Sequence, residues 1–145
     1  MLQVLMKYFI NKKSLFKLMT YTIESKKSIE DIVTKVDALC DEYNLALLHQ
    51  YIYHEVVKEK GFPIERKVYI YEVCQAKVAA LVLTEEPDFA PFMPCRIAIY
   101  EKEDHNVIST QNMGMMLDTL KDNKELYLQT NMLFETLKSL MNDLK

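Results

Sequence analysis

Hydrophobic residues recur along this chain with two different periods, and segments of one period alternate with segments of the other. Between positions 28 and 43 an apolar residue returns every third or fourth position, which predicts a helix. Segment 67–73 (KVYIYEV) alternates strictly and predicts a strand. By the same criteria, further strands are predicted over 19–24, 45–53, 95–101 and 107–110. Further helices are predicted over 54–60, 75–83 and 125–144, with one or two helical turns after Gly114.

Turn-forming residues separate these elements and indicate how the strands connect. Gly61 and Pro63 end one element, and residues 104–106 (DHN) form a turn that pairs two strands as a hairpin. Segment 85–94 contains three prolines and two phenylalanines and is expected to be a stiff loop. The sequence therefore predicts an α+β fold, with a mainly antiparallel sheet of about five strands and helices packed on one face.

The composition limits the classes of function. With 145 residues, half of them hydrophobic, the chain can form one domain with its own core. A net charge of −3 argues against a nucleic-acid partner. Two glycines are too few for a Gly-rich phosphate loop, and no Ser–His–Asp order, nucleophile elbow or HExxH motif occurs. The sequence thus favours a non-catalytic protein over an enzyme.

Residues 1–18 differ in charge from the rest of the chain. They contain four lysines and no acid, so they carry +4, against −7 for the remainder (14 basic and 21 acidic residues). Three interpretations stay open: a basic amphipathic helix on a membrane or a partner, an extension packed on the domain, or translation that begins at Met19. We expect a single domain over 19–145, and membrane contact, if any, through 1–18 alone.

Three cysteines without CxxC spacing exclude a complete disulfide framework and favour a reducing cytoplasm. No histidine is paired with them in the way that zinc ligands are, so no metal site is predicted. Cys40 belongs to the apolar stripe of the helix over 28–43 and is expected in the core. His49, inside the strand over 45–53, is also expected to face the core.

Cys74 and Cys95 form the first candidate site. If the strands over 67–73 and 95–100 are antiparallel neighbours, the two cysteines share one edge of the sheet. Arg96 is adjacent in sequence, although its side chain points to the opposite face of its strand. Such a pair could form a reversible disulfide, or ligate a soft metal or haem together with His54. Alternatively, both cysteines are small residues that fill tight positions.

The loop over 85–94 offers a second candidate site. Phe89, Phe92 and Met93 can rim a pocket for a small hydrophobic ligand. Small antiparallel sheets with one helix layer often enclose such ligands, or pair edge to edge as homodimers. The sequence thus favours a non-catalytic ligand-binding or dimerising module, with thiol-redox or haem and metal binding as the alternative. It identifies no cofactor.

Two segments, 74–79 (CQAKVA) and 94–100 (PCRIAIY), resemble those of the family known as domain of unknown function 302. Its members carry a strand that ends in cysteine, an alanine-bearing helix, an acidic loop and a Leu-Pro-Cys-Arg strand start. His54 and the Lys60-Gly61 pair match residues that usually precede these blocks.

The resemblance extends over about 20–144, and the segment 115–144 is similar to the family's C-terminal helix pair. One departure is Gln75-Ala76, which follows Cys74 where members usually have Asn-Pro. The resemblance implies an α+β arrangement of sheet and helices that is often dimeric, and it implies no established activity.

Overall fold

The computed structural model describes residues 11–145. The strands are β1 (Thr20–Ser25), β2 (Ala46–Ile52), β3 (Val68–Cys74), β4 (Cys95–Glu101) and β5 (Asn106–Gln111). The helices are α1 (Lys12–Met19), α2 (Ile29–Val33), α3 (Val36–Glu42), α4 (Tyr53–Glu59), α5 (Ala76–Glu85), α6 (Gly114–Leu117) and α7 (Lys124–Leu144), with 3₁₀ segments at Pro87–Phe92 and Asp118–Leu120. All strand pairs are antiparallel, in the order β1-β5-β4-β3-β2. The α+β class and the hairpin between β4 and β5 are as the sequence predicts.

The two faces of the sheet differ in their surroundings. Ile97 and Ile99 of β4 are fully buried against α2, α3 and α7, and burial of each such side chain stabilises the fold by about 1.5–3 kcal/mol. The residues between and beside them, Ala98 and Tyr100, lie on the opposite face and stay partly exposed. Helix α1 lies beside this open face.

The helix expected over 28–43 is two helices. Ser28 caps α2 as predicted, because the backbone N–H of Asp31 donates to its hydroxyl at 3.1 Å. The helix then ends at Thr34, whose hydroxyl donates to the carbonyl of Asp31 at 3.2 Å. Ser and Thr hydroxyls compete in this way with the helical backbone hydrogen bonds. Helix α3 starts anew at Val36 and places Cys40 in the core, as expected.

The buried side chains form two clusters. The first, here called the sheet core, joins the sheet to α2, α3 and the C-terminal half of α7. The second, here called the helical core, joins α5, the two 3₁₀ segments, α6 and the N-terminal half of α7. The helical core contains Val78, Val82, Phe89, Leu117, Leu120, Leu126 and Phe134. Met132 of α7 belongs to neither cluster and is 55% exposed.

The prediction that His49 faces the core is wrong. The register of β2 against β3 shifts between Leu47 and His49, so that Leu47 pairs with Val73 and His49 pairs with Glu72. One inserted residue turns every later side chain of the strand to the other face. His49 is therefore exposed, with its ring 4.4 Å from that of Tyr51.

None of the helices within residues 11–145 is long and apolar enough to cross a membrane.

Candidate functional site

A small cavity lies between the ends of β3 and β4, helix α5, the 3₁₀ segment and α7. Its volume is about 50 Å³. The lining is almost wholly apolar and consists of Val73, Cys74, Gln75, Val78, Ala79, Val82, Phe89, Phe92, Met93, Pro94, Cys95, Met113, Thr130, Leu133 and Phe134. The cavity thus lies at the margin of the helical core, where it meets the sheet.

The strand pairing brings the two cysteines of the sequence hypothesis to this cavity. Val73 and Cys95 are direct partners across β3 and β4, and Cys74 follows Val73 as the last residue of its strand. The prediction that these strands are antiparallel neighbours is therefore confirmed. Both cysteines are free thiols and both are partly buried.

Burial shapes the chemistry of these thiols. It raises the pKa of Cys95, and the neighbouring Cys74 raises that pKa further. Cys40, enclosed in the sheet core, shows the same effect more strongly, with a pKa raised to about 11 by burial and by Asp37 and Asp41. A raised pKa keeps a thiol protonated at neutral pH, so Cys95 is a weak nucleophile.

Segment 85–94, which the sequence predicts as a stiff loop, forms the outer wall of the cavity. Pro87 begins a 3₁₀ helix over Pro87–Phe92, where proline's fixed φ suits the first helical position. Phe89 is buried in the wall, and the ring of Phe92 packs edge-on against it at 5.5 Å between centroids. Phe92 itself is 39% exposed, so it stands at the mouth of the cavity next to Met93.

One polar side chain lines the cavity from α7. Thr130 is buried, and its hydroxyl donates to the carbonyl of Leu126 at 2.7 Å. Its hydroxyl proton is thus bound inside its own helix and is not offered to a guest. Gln75 lies just before α5 and makes no capping bond with its side chain. Its amide is therefore available to a polar group of a ligand.

Arg96 and His54, both included in the candidate site on sequence, lie elsewhere. Arg96 is on the open face of the sheet, where its Nε lies 3.5 Å from a carboxylate oxygen of Glu72. The Nδ1 of His54 accepts the backbone N–H of Val68 at 3.1 Å, at the far end of β3. Val68 and Cys74 lie six positions apart at opposite ends of the extended strand, or about 20 Å. A haem or metal site that joins His54 to both cysteines is therefore not formed.

The sequence alone does not identify several residues that line the cavity. Val78 and Val82 are spaced by four on α5, and Leu133 and Phe134 follow Thr130 by one turn on α7. Helical spacing could have identified these faces as buried, but nothing in a sequence distinguishes a residue beside a cavity from one in a filled core. Within residues 11–145, no group of three His, Cys, Asp or Glu side chains is arranged to hold a metal ion.

Comparisons with known proteins agree with this architecture. The family model "Domain of unknown function DUF302" matches residues 21–144. Among solved structures, an uncharacterized conserved DUF302 protein from Bacillus stearothermophilus superposes with a TM-score of 0.76. It is 20% identical, and the alignment covers 88% of this chain and 99% of that one, which shows a shared fold. A search of curated proteins finds no match. Since the family model spans most of the chain, the protein belongs to the DUF302 family.

Proposed function

We propose that this protein is a non-catalytic binding module whose ligand places a small apolar group in the cavity beside Cys74 and Cys95. The observation that carries the proposal is the lining itself, in which apolar side chains enclose a space and the one buried hydroxyl is already satisfied. Cavities with such apolar walls take up apolar guests, because the walls offer few hydrogen-bond partners to water.

The size of the cavity limits the guest. A single water-sized probe needs about 10–15 Å³ by this measure, so about 50 Å³ accommodates a group of a few heavy atoms. A longer ligand would extend past Phe92 at the mouth. Met93 and Met113 line the same space, and unbranched thioether side chains readily adapt to a guest's shape.

The alternative, thiol-redox chemistry, has one observation in its favour, because Cys74 and Cys95 line the same cavity. Against it, burial raises the pKa of Cys95, whereas nucleophilic thiols need a lowered pKa. The binding function is therefore the better supported of the two.

Free thiols at all three cysteines suit a reducing compartment, and we infer a cytoplasmic protein on that ground.

Methionine methyl resonances give a direct test of the cavity. In protein carrying ¹³C-methyl methionine, we expect propane to shift the signals of Met93 and Met113 saturably, since both line the cavity. The exposed Met132 on α7 is the internal control and should not move.

A matched pair of variants completes this test. Ala79 lines the cavity, whereas its neighbour Ala80 on the same helix is exposed. Ala79→Leu should fill the space and abolish the propane shifts, and Ala80→Leu should leave them unchanged. Shifts that persist in Ala79→Leu, or that are as large at Met132, would count against the proposal.

A second candidate function, self-association, is supported by the edge strand β2. Its sequence ALLHQYI contains no Asp, Glu, Lys or Arg, and five of its seven residues are exposed. Leu48 and Ile52 are 54% and 41% exposed. An uncharged, apolar edge strand offers unpaired backbone groups to a second chain, and here the second chain would be a copy of this one.

A charged substitution in the edge strand β2 tests this second candidate function. We expect the wild-type protein to sediment as a dimer in analytical ultracentrifugation and Leu48→Lys to sediment as a monomer. Leu83→Lys is the matched control, because Leu83 is similarly exposed but lies on α5. A wild-type monomer at all concentrations, or equal dissociation in both variants, would exclude a β2 dimer.

A further inference from the structure

Helix α1 exposes apolar side chains and holds only positive charge. No residue of α1 is buried, and Phe16 and Met19 are 56% and 58% exposed. Lys12, Lys13 and Lys17 lie on the same helix, and none of them pairs with an acid within residues 11–145. Such a combination of free cations and exposed apolar groups is typical of helices that lie in a membrane interface.

The structure fixes this helix in place although it does not bury it. Asn11 caps its start by accepting the N–H of Ser14 at 2.9 Å. At its end, the amide N–H of Asn112 donates to Met19 at 2.8 Å, and the side chain of Asn112 donates to Leu18 at 3.1 Å. The exposed residues of α1 are therefore presented from a defined position beside the open face of the sheet.

A wide groove separates α1 from that open face. Its volume is about 970 Å³, and its walls include Lys12, Lys13 and Lys17 on one side and Ala98 and Tyr100 on the other. Lys102 adds a fourth cation, and Glu24 is the one acid of the lining. The groove thus carries an excess of positive charge.

The distribution of charge favours an anionic surface as the partner of α1. Residues 1–18 carry four lysines and no acid, and the remaining residues carry an excess of acids. An anionic bilayer would attract the basic N-terminal segment and repel the acidic remainder of the chain. This difference would orient the protein with α1 towards the bilayer.

We infer that helix α1 (Lys12–Met19) docks this protein peripherally on an anionic lipid bilayer, with its apolar side chains in the interface and its lysines among the headgroups. This inference is independent of the cavity and of the β2 edge. It concerns a different surface and predicts a different partner.

Vesicle sedimentation of the full chain tests the inference at about 0.1 M salt, where screening is moderate. We expect binding to vesicles of phosphatidylcholine with one third phosphatidylglycerol and little binding to phosphatidylcholine alone. Each lysine near such a surface contributes about 1 kcal/mol, so loss of three lowers the partition coefficient on the order of a hundredfold. The variant Lys12→Glu/Lys13→Glu/Lys17→Glu should show at least that loss.

Matched variants separate docking from general charge and general hydrophobicity. Lys35→Glu/Lys60→Glu/Lys145→Glu makes the same charge change at exposed, unpaired positions elsewhere and should bind nearly as wild type. Phe16→Ser/Met19→Ser should lose binding, whereas Leu128→Ser/Met132→Ser, equally exposed on α7, should retain it.

Three results would overturn the inference. They are equal binding to phosphatidylcholine alone, equal loss in the two lysine variants, and a wild-type chain that stays in the supernatant with either lipid. Sedimentation without vesicles would show self-association through α1 and would overturn it as well.

Discussion

The sheet core and the helical core share helix α7 but differ in the kinds of side chain that pack them. In the sheet core, Ile32, Ile97, Ile99 and Ile108 are completely buried by branched side chains with few rotamers. In the helical core, unbranched Met93 and Met113 line a cavity. Branched residues fill a core rigidly, whereas methionines adapt. We therefore expect the sheet core to hold the fold rigidly, and this difference supports the proposal that the cavity at the helical core accommodates a guest.

The cysteines should show the largest difference between the two cores. Cys40 is 1% exposed with a pKa of about 11, so at pH 8 it reacts only when the protein unfolds. Since unfolding costs about 5 kcal/mol or more, we expect Ellman's reagent to modify Cys40 at least a thousandfold more slowly than Cys74. Single-cysteine variants measure each rate separately. Equal rates at Cys40 and Cys74 would contradict the contrast between the cores.

Truncation of a leucine in each core should give the next largest effect. Leu140→Ala empties a completely buried site among rigid neighbours, and we expect a loss of about 4 kcal/mol in the free energy of unfolding. Leu120→Ala, in the helical core, should cost about 2 kcal/mol, because the nearby methionines can move into the space. Urea denaturation gives both values. A larger loss for Leu120→Ala would reverse the assignment of rigid and adaptable regions.

The shared helix allows a smaller test. Asn123 caps α7 by accepting the N–H of Leu126 at 3.1 Å, at the end of the helix that belongs to the helical core. We expect Asn123→Ala to cost about 1 kcal/mol in thermal denaturation. Asn123→Ser keeps a side-chain acceptor and should restore most of the loss. If both variants lose the same stability, the cap does not act as described.

Filling the cavity should give the smallest effect on stability. Ala79→Leu adds apolar atoms to unoccupied space, so we expect the free energy of unfolding to change by less than about 1 kcal/mol. In a fully packed core the same enlargement costs about 1–3 kcal/mol. A destabilisation in that range, measured by urea denaturation, would mean that the space is not available to a side chain.

Much of this architecture follows from local patterns. The alternation of apolar and polar residues over 67–73 predicts β3. The turn residues at 104–106 predict the hairpin of β4 and β5. The approach of Cys74 to Cys95 required one further assumption, that β3 and β4 are antiparallel neighbours, and the pairing of Val73 with Cys95 confirms it.

Other features depend on contacts that no local pattern contains. The bulge that exposes His49 arises from its pairing with a distant strand. His54 was grouped with the cysteines because sequence gives no distances, and the fold places it at the opposite end of β3. The cavity depends on how far α5 and α7 stand apart, which depends on the sum of many side-chain volumes.

Diffraction from crystals under xenon pressure would show directly whether the cavity takes an apolar guest, because xenon occupies apolar cavities and is easily located. We expect a xenon atom among Cys95, Phe89 and Met93 in the wild-type protein and none there in Ala79→Leu. Wild-type crystals without xenon at this position, but with xenon bound elsewhere, would contradict this expectation.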